Sequence, residues 1–244
     1  MRYAIISDIH GNLEAFQAVL KRIDELGVDR TLCLGDIVGY GADPNACVGI
    51  IRSMNIPSVM GNHDQVAFGC AGPERFNPAA QEAIIWTRKQ LTGENREFLA
   101  ALPRTITVND LTLCHGTIRD LNRYIISTHD ARDVFHELED ISGPMSICFH
   151  GHTHVPVILR ENAGRIERVT ADRLHCPDSG RFLVNPGSVG QPRDGDPRAS
   201  FLVYDEGERT LSFFRVDYDV AACQNKINAA DLPGWLALRL SLGR

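Results

Sequence analysis

The sequence predicts an α/β protein, and two observations carry that reading. Through the first third, short apolar runs alternate with amphipathic helical patterns, which implies parallel strands joined by right-handed crossovers. Beyond Val155 the texture changes to short β-rich runs separated by Gly, Asn, Asp and Pro, which suggests a second, largely antiparallel sheet. A chain of 244 residues is long enough to bury one sizeable core, so a single domain over residues 1–244 is expected.

Each element has a local cause. "YAIIS" reads as a buried strand. From Leu13, the apolar residues Phe16, Val19, Leu20, Ile23 and Leu26 recur at helical spacing before Gly27, with Asn12 as cap. "RTLCLG" is a second strand. Asp43 and Pro44 then suit the cap and first turn of a helix whose apolar face includes Cys47, Ile50, Ile51 and Met54. "IPSVMG" is expected to complete the series as a third strand.

Residues 65–103 read as a helical insertion packed beside the sheet. Asn77 and Pro78 open a helix through Leu91, a shorter one fits Glu94 to Ala101, and Trp86, Phe98 and Leu102 form the packing face. "LTLCHG" and "SICFHG" are the fourth and fifth apolar runs, with a helix over Asp130 to Leu138 between them. "VPVILRE", "RIERVT", "RFLVN", "ASFLVYD" and "TLSFFRVDY" supply the later strands, and two short helical patterns flank Pro233 in the tail.

Composition narrows the function. The chain is 43% hydrophobic and 23% charged, as in an ordinary globular protein. A formal net charge of −6, with no block of Lys and Arg, disfavours binding along a nucleic-acid backbone, which relies on several cationic phosphate contacts. The apolar run at the start ends at Asp8, too short for a secretory signal core or a membrane span, so a cytoplasmic location without membrane attachment is expected. Seven cysteines without a C-x-x-C pair point to free buried thiols, and Cys33 and Cys114 lie within strands as core residues.

The polar residues carry the chemistry. Each of the first five apolar runs ends in groups able to bind metal: Asp8 with His10, Asp36, Asn62 with His63, His115, and His152 with His154. The carboxyl ends of parallel strands lie together and form a ligand crevice. A lone Asp or His after a strand is usually a turn residue or a cap. Surface polarity does not explain why five runs in succession end in Asp, Asn and His rather than Lys, Ser or Glu. Oxygen and imidazole donors without thiolate suit manganese, iron, nickel or zinc in a catalytic site. Setting His63 aside, seven such groups exceed one tetrahedral ion, and two divalent ions sharing a carboxylate use all seven.

The ordered motifs "SDIHGN", "GDIVGYG", "GNHD", "CHG" and "GHTH" resemble the calcineurin-like metallophosphoesterases, and "NPGSVGQPRDGDPRAS" resembles their small prokaryotic phosphodiesterase branch. The resemblance implies an α/β/β/α fold, a two-sheet β-sandwich flanked by helices. It implies that Asp8, His10 and His154 hold one ion, that Asn62, His115 and His152 hold the other, and that Asp36 bridges both. A hydroxide between the ions would attack a small phosphate-ester substrate. His63 takes the role of an acid near the leaving oxygen or a donor to the phosphate, with Asp64 orienting it. His150 matches no ligand position and is read as structural.

Arg119, Tyr124 and Arg193 lie in segments able to reach such a pocket, while His129, His136 and His175 read as surface or structural residues. A phosphomonoesterase, a nucleotide pyrophosphohydrolase and a nuclease are the alternative enzymes, the last disfavoured by charge. A noncatalytic metal-binding interaction module would be marked by a missing ligand or the loss of His63, and neither is missing. The sequence leaves oligomeric state open.

Overall fold

The computed structural model describes residues 1–139, 145–177 and 180–244. Strand β1 (Arg2–Ile6) leads through helix α1 (Leu13–Glu25) to β2 (Arg30–Cys33) and α2 (Pro44–Ser53). Helices α3 (Asn62–Phe68), α4 (Pro78–Gln90) and α5 (Gly93–Ala100) follow, then β3 (Thr105–Val108), β4 (Leu111–Cys114), α6 (Thr128–Glu139) and β5 (Met145–Phe149). The second half holds β6 (Val157–Asn162), β7 (Arg165–Val169), β8 (Arg173–His175), β9 (Gly180–Asn185), β10 (Ala199–Asp205) and β11 (Thr210–Val216). Helices α7 (Val220–Ala229) and α8 (Gly234–Leu238) precede a 3-10 turn over Arg239–Leu242.

The strands form two mixed sheets, in the orders β2-β1-β10-β11-β8 and β3-β4-β5-β9-β6-β7. The pairs β1–β2, β4–β5 and β5–β9 are parallel and the remaining pairs antiparallel. The strands after Val155 therefore do not make a sheet of their own: β8, β10 and β11 join β1 and β2, while β6, β7 and β9 join the strands of the middle segment. Apolar alternation tells how a strand is buried, not which strand it pairs with, so this division was hidden from a local reading.

Alternation does explain the layers. In β1, Tyr3 and Ile5 face the space between the sheets, while Ala4 and Ile6 face helices α1 and α2. In β9, Phe182 and Val184 enter the inter-sheet core, while Leu183 meets Phe135 and Leu138 of α6 on the other side. The result is helix, sheet, sheet, helix. Ile84, Leu91, Leu99 and Leu102 of the α4–α5 region join the core under α1 and α2. Phe98 packs against that core, whereas Trp86 packs toward the α7 and α8 cluster.

Three local expectations change. "IPSVMG" makes one isolated bridge, Cys33 to Ser58, rather than a strand, because Pro57 lacks an N–H and Met60 already bonds to Pro103 O at 2.8 Å. Asp43 stands at the N-cap of α2 but makes no capping bond; its carboxylate takes Lys226 Nζ at 2.8 Å. Met54, the C-cap of α2, turns outward and is 54% exposed. Asn12 and Asn77 do cap α1 and α4, accepting from Ala15 N and Ala80 N. Helix α3 and strands β3 and β8 were not expected, being too short or too polar to show a period.

The inter-sheet core sets stability. Phe182 is fully buried there, so Phe182→Ala is expected to cost about 3–5 kcal/mol. Chemical denaturation checks this, and a loss below about 1 kcal/mol would show that the two sheets are not held by this layer.

Candidate metal centre

Two loops zip together at the ends of β1 and β2. Asp8 N donates to Gly35 O (3.0 Å), His10 N to Asp36 O (2.9 Å) and Gly11 N to Ile37 O (3.0 Å). The zipper requires unusual backbone. Asp8, His10 and Asp36 have φ of 54°, 51° and 52°, and His152 and His154, after β5, have 67° and 61°. Left-handed backbone costs a residue with a Cβ roughly 1–2 kcal/mol, so five of the predicted ligands sit in strained positions. Gly61 is needed for a separate reason: a Cβ there would meet Asp36 Oδ1 and its backbone.

These loops bring the predicted ligands together. Asp8, His10, Asp36 and His154 place ligand atoms within 4.8 Å of one another, and Asp36, His115 and His152 do the same. Asn62 Oδ1 lies 2.9 Å from His115 Nε2, so all seven converge with Asp36 between the groups. Each is buried.

Hydrogen bonds aim the rings. His10, His115 and His154 donate Nδ1–H to the carbonyls of Val38 (3.1 Å), Leu34 (2.8 Å) and Gln191 (2.6 Å), turning Nε2 inward. His152 is reversed: its Nε2 donates to Asn122 O at 3.2 Å, which leaves Nδ1 for a ligand. His152 N donates to both oxygens of Asp8 at 3.2 Å. Asp36 Oδ1 accepts from His63 N at 2.8 Å, whereas the buried Oδ2 accepts no hydrogen bond and lies 3.6 Å from His10 Nε2 and 3.2 Å from His115 Nε2.

A cation fits this arrangement. Burial holds the His10 and His154 rings below the ordinary imidazole value, hence neutral, and their Nδ1 protons are engaged by carbonyls. Two Nε2 lone pairs therefore face each other at 3.1 Å beside a carboxylate, an arrangement that repels unless positive charge sits between them.

The same logic explains the other groups. Burial alone would raise Asp8 and Asp36, but His154 beside Asp8 and His115 beside Asp36 hold both carboxyls below the usual range. Burial opposes a charge on His115, yet Asp36 and then Asp8 lift it to about 9, so a proton takes the place of a cation. His152 is pushed down to about 3 by burial, then by the charge on His115.

His63 stands at a cavity of about 170 Å³ that opens onto Asp36, Asn62, His152 and His154. Its ring stacks on Phe76 with centroids 4.3 Å apart, and its buried Nδ1 has no partner. Burial lowers it to about 4. Asp64, expected to orient His63, spends its carboxylate on backbone amides: Oδ1 accepts from Ile37 N (2.9 Å) and Val38 N (3.2 Å), and Oδ2 from Gly61 N (3.0 Å). Asp64 fastens the Asp36 loop to the start of α3. Burial, then the charge on Asp36, pushes it up to about 7.

Tyr124 and Arg193 reach the cavity, with Tyr124 stacked on His152 at 4.0 Å; Arg119 does not line it. Tyr40, Arg75, Phe76 and Asn77 also line it, and the sequence singles out none of them as a site residue. Asn185 and Ser188 are further missed contributors. Asn185 Nδ2 donates to Gly151 O (2.6 Å) and Thr153 Oγ1 (3.0 Å), and Ser188 Oγ to Asp8 O (2.8 Å), so both brace the ligand loops. Only their place in the "NPGS" stretch pointed to them. His150 is buried under this brace with Nε2 unbonded. A larger cleft, about 410 Å³, lies along β6, β7 and β11, but none of the seven ligands lines it.

The family described as the calcineurin-like phosphoesterase superfamily domain matches residues 1–209. The chain is 38% identical over 247 residues to an uncharacterized protein, MJ0912, of Methanocaldococcus jannaschii, covering 99% of this chain and 98% of that one. It is 26% identical over 213 residues to the phosphodiesterase YfcE of Escherichia coli K12, covering 84% and 88%. The crystal structure of a metallophosphoesterase from Sphaerobacter thermophilus superposes with a TM-score of 0.86 at 40% identity over all of both chains. The hypothetical protein PH1004 of Pyrococcus horikoshii shares the fold, with a TM-score of 0.80 at 20% identity over 100% of this chain and 98% of that one.

Two measurements probe this geometry in metal-free protein. His10, His63, His150, His152 and His154 are all held below the unfolded value of about 6.5 by burial. Their contribution is present above about pH 6.5 and is lost as pH falls toward 4; Asp64 and His115, both shifted up, oppose the five rings. The melting temperature under chelation should therefore fall between pH 7.5 and pH 5, and an unchanged value would deny that the rings are buried and neutral. Second, at φ 67° glycine is the less strained replacement. His152→Gly should exceed His152→Ala in stability by about 1 kcal/mol in denaturant titrations; the reverse order would mean no strain there.

Proposed function

Because this chain belongs to the calcineurin-like phosphoesterase superfamily, and so is a hydrolase of phosphate esters, we propose that it is a phosphodiesterase using two divalent metal ions. The observation that carries the reading is Asp36, common to both ligand groups, whose buried Oδ2 accepts no hydrogen bond and faces the rings of His10 and His115. Asp8, His10 and His154 would hold one ion with Asp36, and Asn62, His115 and His152 the other. Manganese, iron, nickel or zinc suits these donors. Two such ions would generate a nucleophile from water near neutral pH and offset charge on the phosphoryl oxygens.

The chain's own residues do the rest. The oxygen of water joins phosphorus, the ester P–O bond breaks, and the departing alkoxide takes a proton. His63 stands beside that point. With Nδ1 buried and unbonded, Nε2 is the ring nitrogen left to serve the cavity, and a neutral ring carries its proton there. It acts as a hydrogen-bond donor to the leaving or phosphoryl oxygen, without help from Asp64. Tyr124 and Phe76 wall the cavity with rings, which excludes water from the leaving group. The name of the Escherichia coli relative supports diesters over monoesters.

The test compares bis-p-nitrophenyl phosphate with p-nitrophenyl phosphate on protein reconstituted with manganese, nickel, cobalt or zinc. The diester should be the better substrate. Asp36→Asn should lose activity on the order of a hundredfold or more, along with metal. His63→Ala should lose about 10²–10⁴-fold in turnover while keeping its metal content. No hydrolysis of either ester with any of these metals would sink the proposal.

A further inference from the structure

Two guanidiniums line the metal cavity with no side-chain carboxylate beside them, and a third shares the Tyr40 ring with one of the two. Arg75 and Arg193 line the cavity. Arg193 and Arg239 each stand 5.9 Å from the centre of the Tyr40 ring. On this acidic chain other arginines are matched: Arg160 with Glu167, Arg198 with Asp196, and Arg215 with Asp194. Among the described residues, no side-chain carboxylate reaches ion-pair distance of Arg75, Arg193 or Arg239.

The placement of Arg193 is specific. Its Nη2 donates to Tyr40 Oη (3.3 Å) and Gln191 Oε1 (3.0 Å), and its backbone N donates to His154 O at 3.3 Å. Its Nε is buried and bonded to nothing. The guanidinium is thus pinned on one side and unsatisfied on the other. Arg239 arrives from the 3-10 turn, with Nε donating to the main-chain oxygen of Arg244. Burial, then the like charge of Arg193, pulls it down to about 10. Two cations sharing one aromatic ring repel each other, and an anion bound between them would relieve that repulsion.

The distance from the metal ligands is short. The Tyr40 ring centre is 4.6 Å from the His10 ring and 4.6 Å from the His63 ring, so the two arginines on Tyr40 lie one aromatic ring beyond those histidines. We propose that Arg193 and Arg239, with Arg75 at the rim, form a second anion subsite, and that the preferred substrates carry a second phosphoryl group close to the one that is cleaved. This rests on the reading of the metal centre as the hydrolytic site. A phosphoryl group matches the fork of donors on Arg better than a neutral leaving group, which would leave Nε of Arg193 buried and unmet.

The test uses two probes, methylenebisphosphonate and methylphosphonate, as inhibitors of bis-p-nitrophenyl phosphate hydrolysis with manganese in excess. In the wild type the bisphosphonate should inhibit at a concentration at least tenfold below that of the monophosphonate. In Arg193→Gln and Arg239→Gln that ratio should collapse to within threefold. Equal inhibition by the two probes in the wild type would overturn the subsite. So would a ratio that survives in the Arg193→Gln/Arg239→Gln double variant, because the advantage would then come from the metals alone. If the diester is not hydrolysed, the functional reading fails. Calorimetric binding of the same two probes to the manganese-loaded protein then decides the subsite by the same tenfold criterion. Arg239→Gln, outside the cavity lining, gives a folded variant if Arg193→Gln does not fold.

Discussion

One carboxylate organises this protein. Asp36 uses Oδ1 to hold the first turn of α3 through His63 N, and keeps Oδ2 buried, unbonded and between the imidazoles of His10 and His115. An oxygen that accepts no hydrogen bond is unfavourable there by itself, since burying a carboxylate is costly unless it is paired and hydrogen-bonded. It is tolerable because several rings surround it and because a cation can meet it. The arrangement makes stability and chemistry answer to the same atom.

The surrounding backbone keeps that atom in place. The β1 and β2 loops are zipped by three main-chain bonds, Asp64 ties the second loop to α3, and Ser188 with Asn185 braces the first loop and the His152 loop. The five left-handed ligand residues fall within these braced segments. Strain at Asp8, His10, Asp36, His152 and His154 persists because the bonds on either side over-determine the path of the chain. Rings aimed by carbonyls then present fixed lone pairs, so little reordering is needed when a ligand arrives.

Much of this was legible in the sequence. The residue types at five successive run ends marked Asp8, His10, Asp36, Asn62, His115, His152 and His154 as a group, and the structure does bring them together. Helices α1 and α4 announced themselves by cap and period. Other features were hidden for physical reasons. Pairing across sheets is non-local, so β9 between β5 and β6 could not be read from its own residues. Asp64 beside His63 in sequence suggested contact, but at the start of a helix adjacent side chains diverge, and backbone amides captured the carboxylate. Tyr40, Phe76 and Arg75 are aromatic or basic residues in loops, a class with no local mark of function. The reversed ring of His152 depends on Asn122, thirty residues away in the chain.

The division of the ligands between the two sheets has a mechanical meaning. Asp8, His10 and Asp36 follow strands of one sheet, while His115, His152 and His154 follow strands of the other. Whatever binds among them is therefore a rivet through the sandwich, gripping both leaves at one end. By reciprocity, a rivet that holds the leaves in register is itself held by that register. The apolar filling between the sheets, which supplies no donor atom, thus belongs to the apparatus that sets how tightly any cation there is kept.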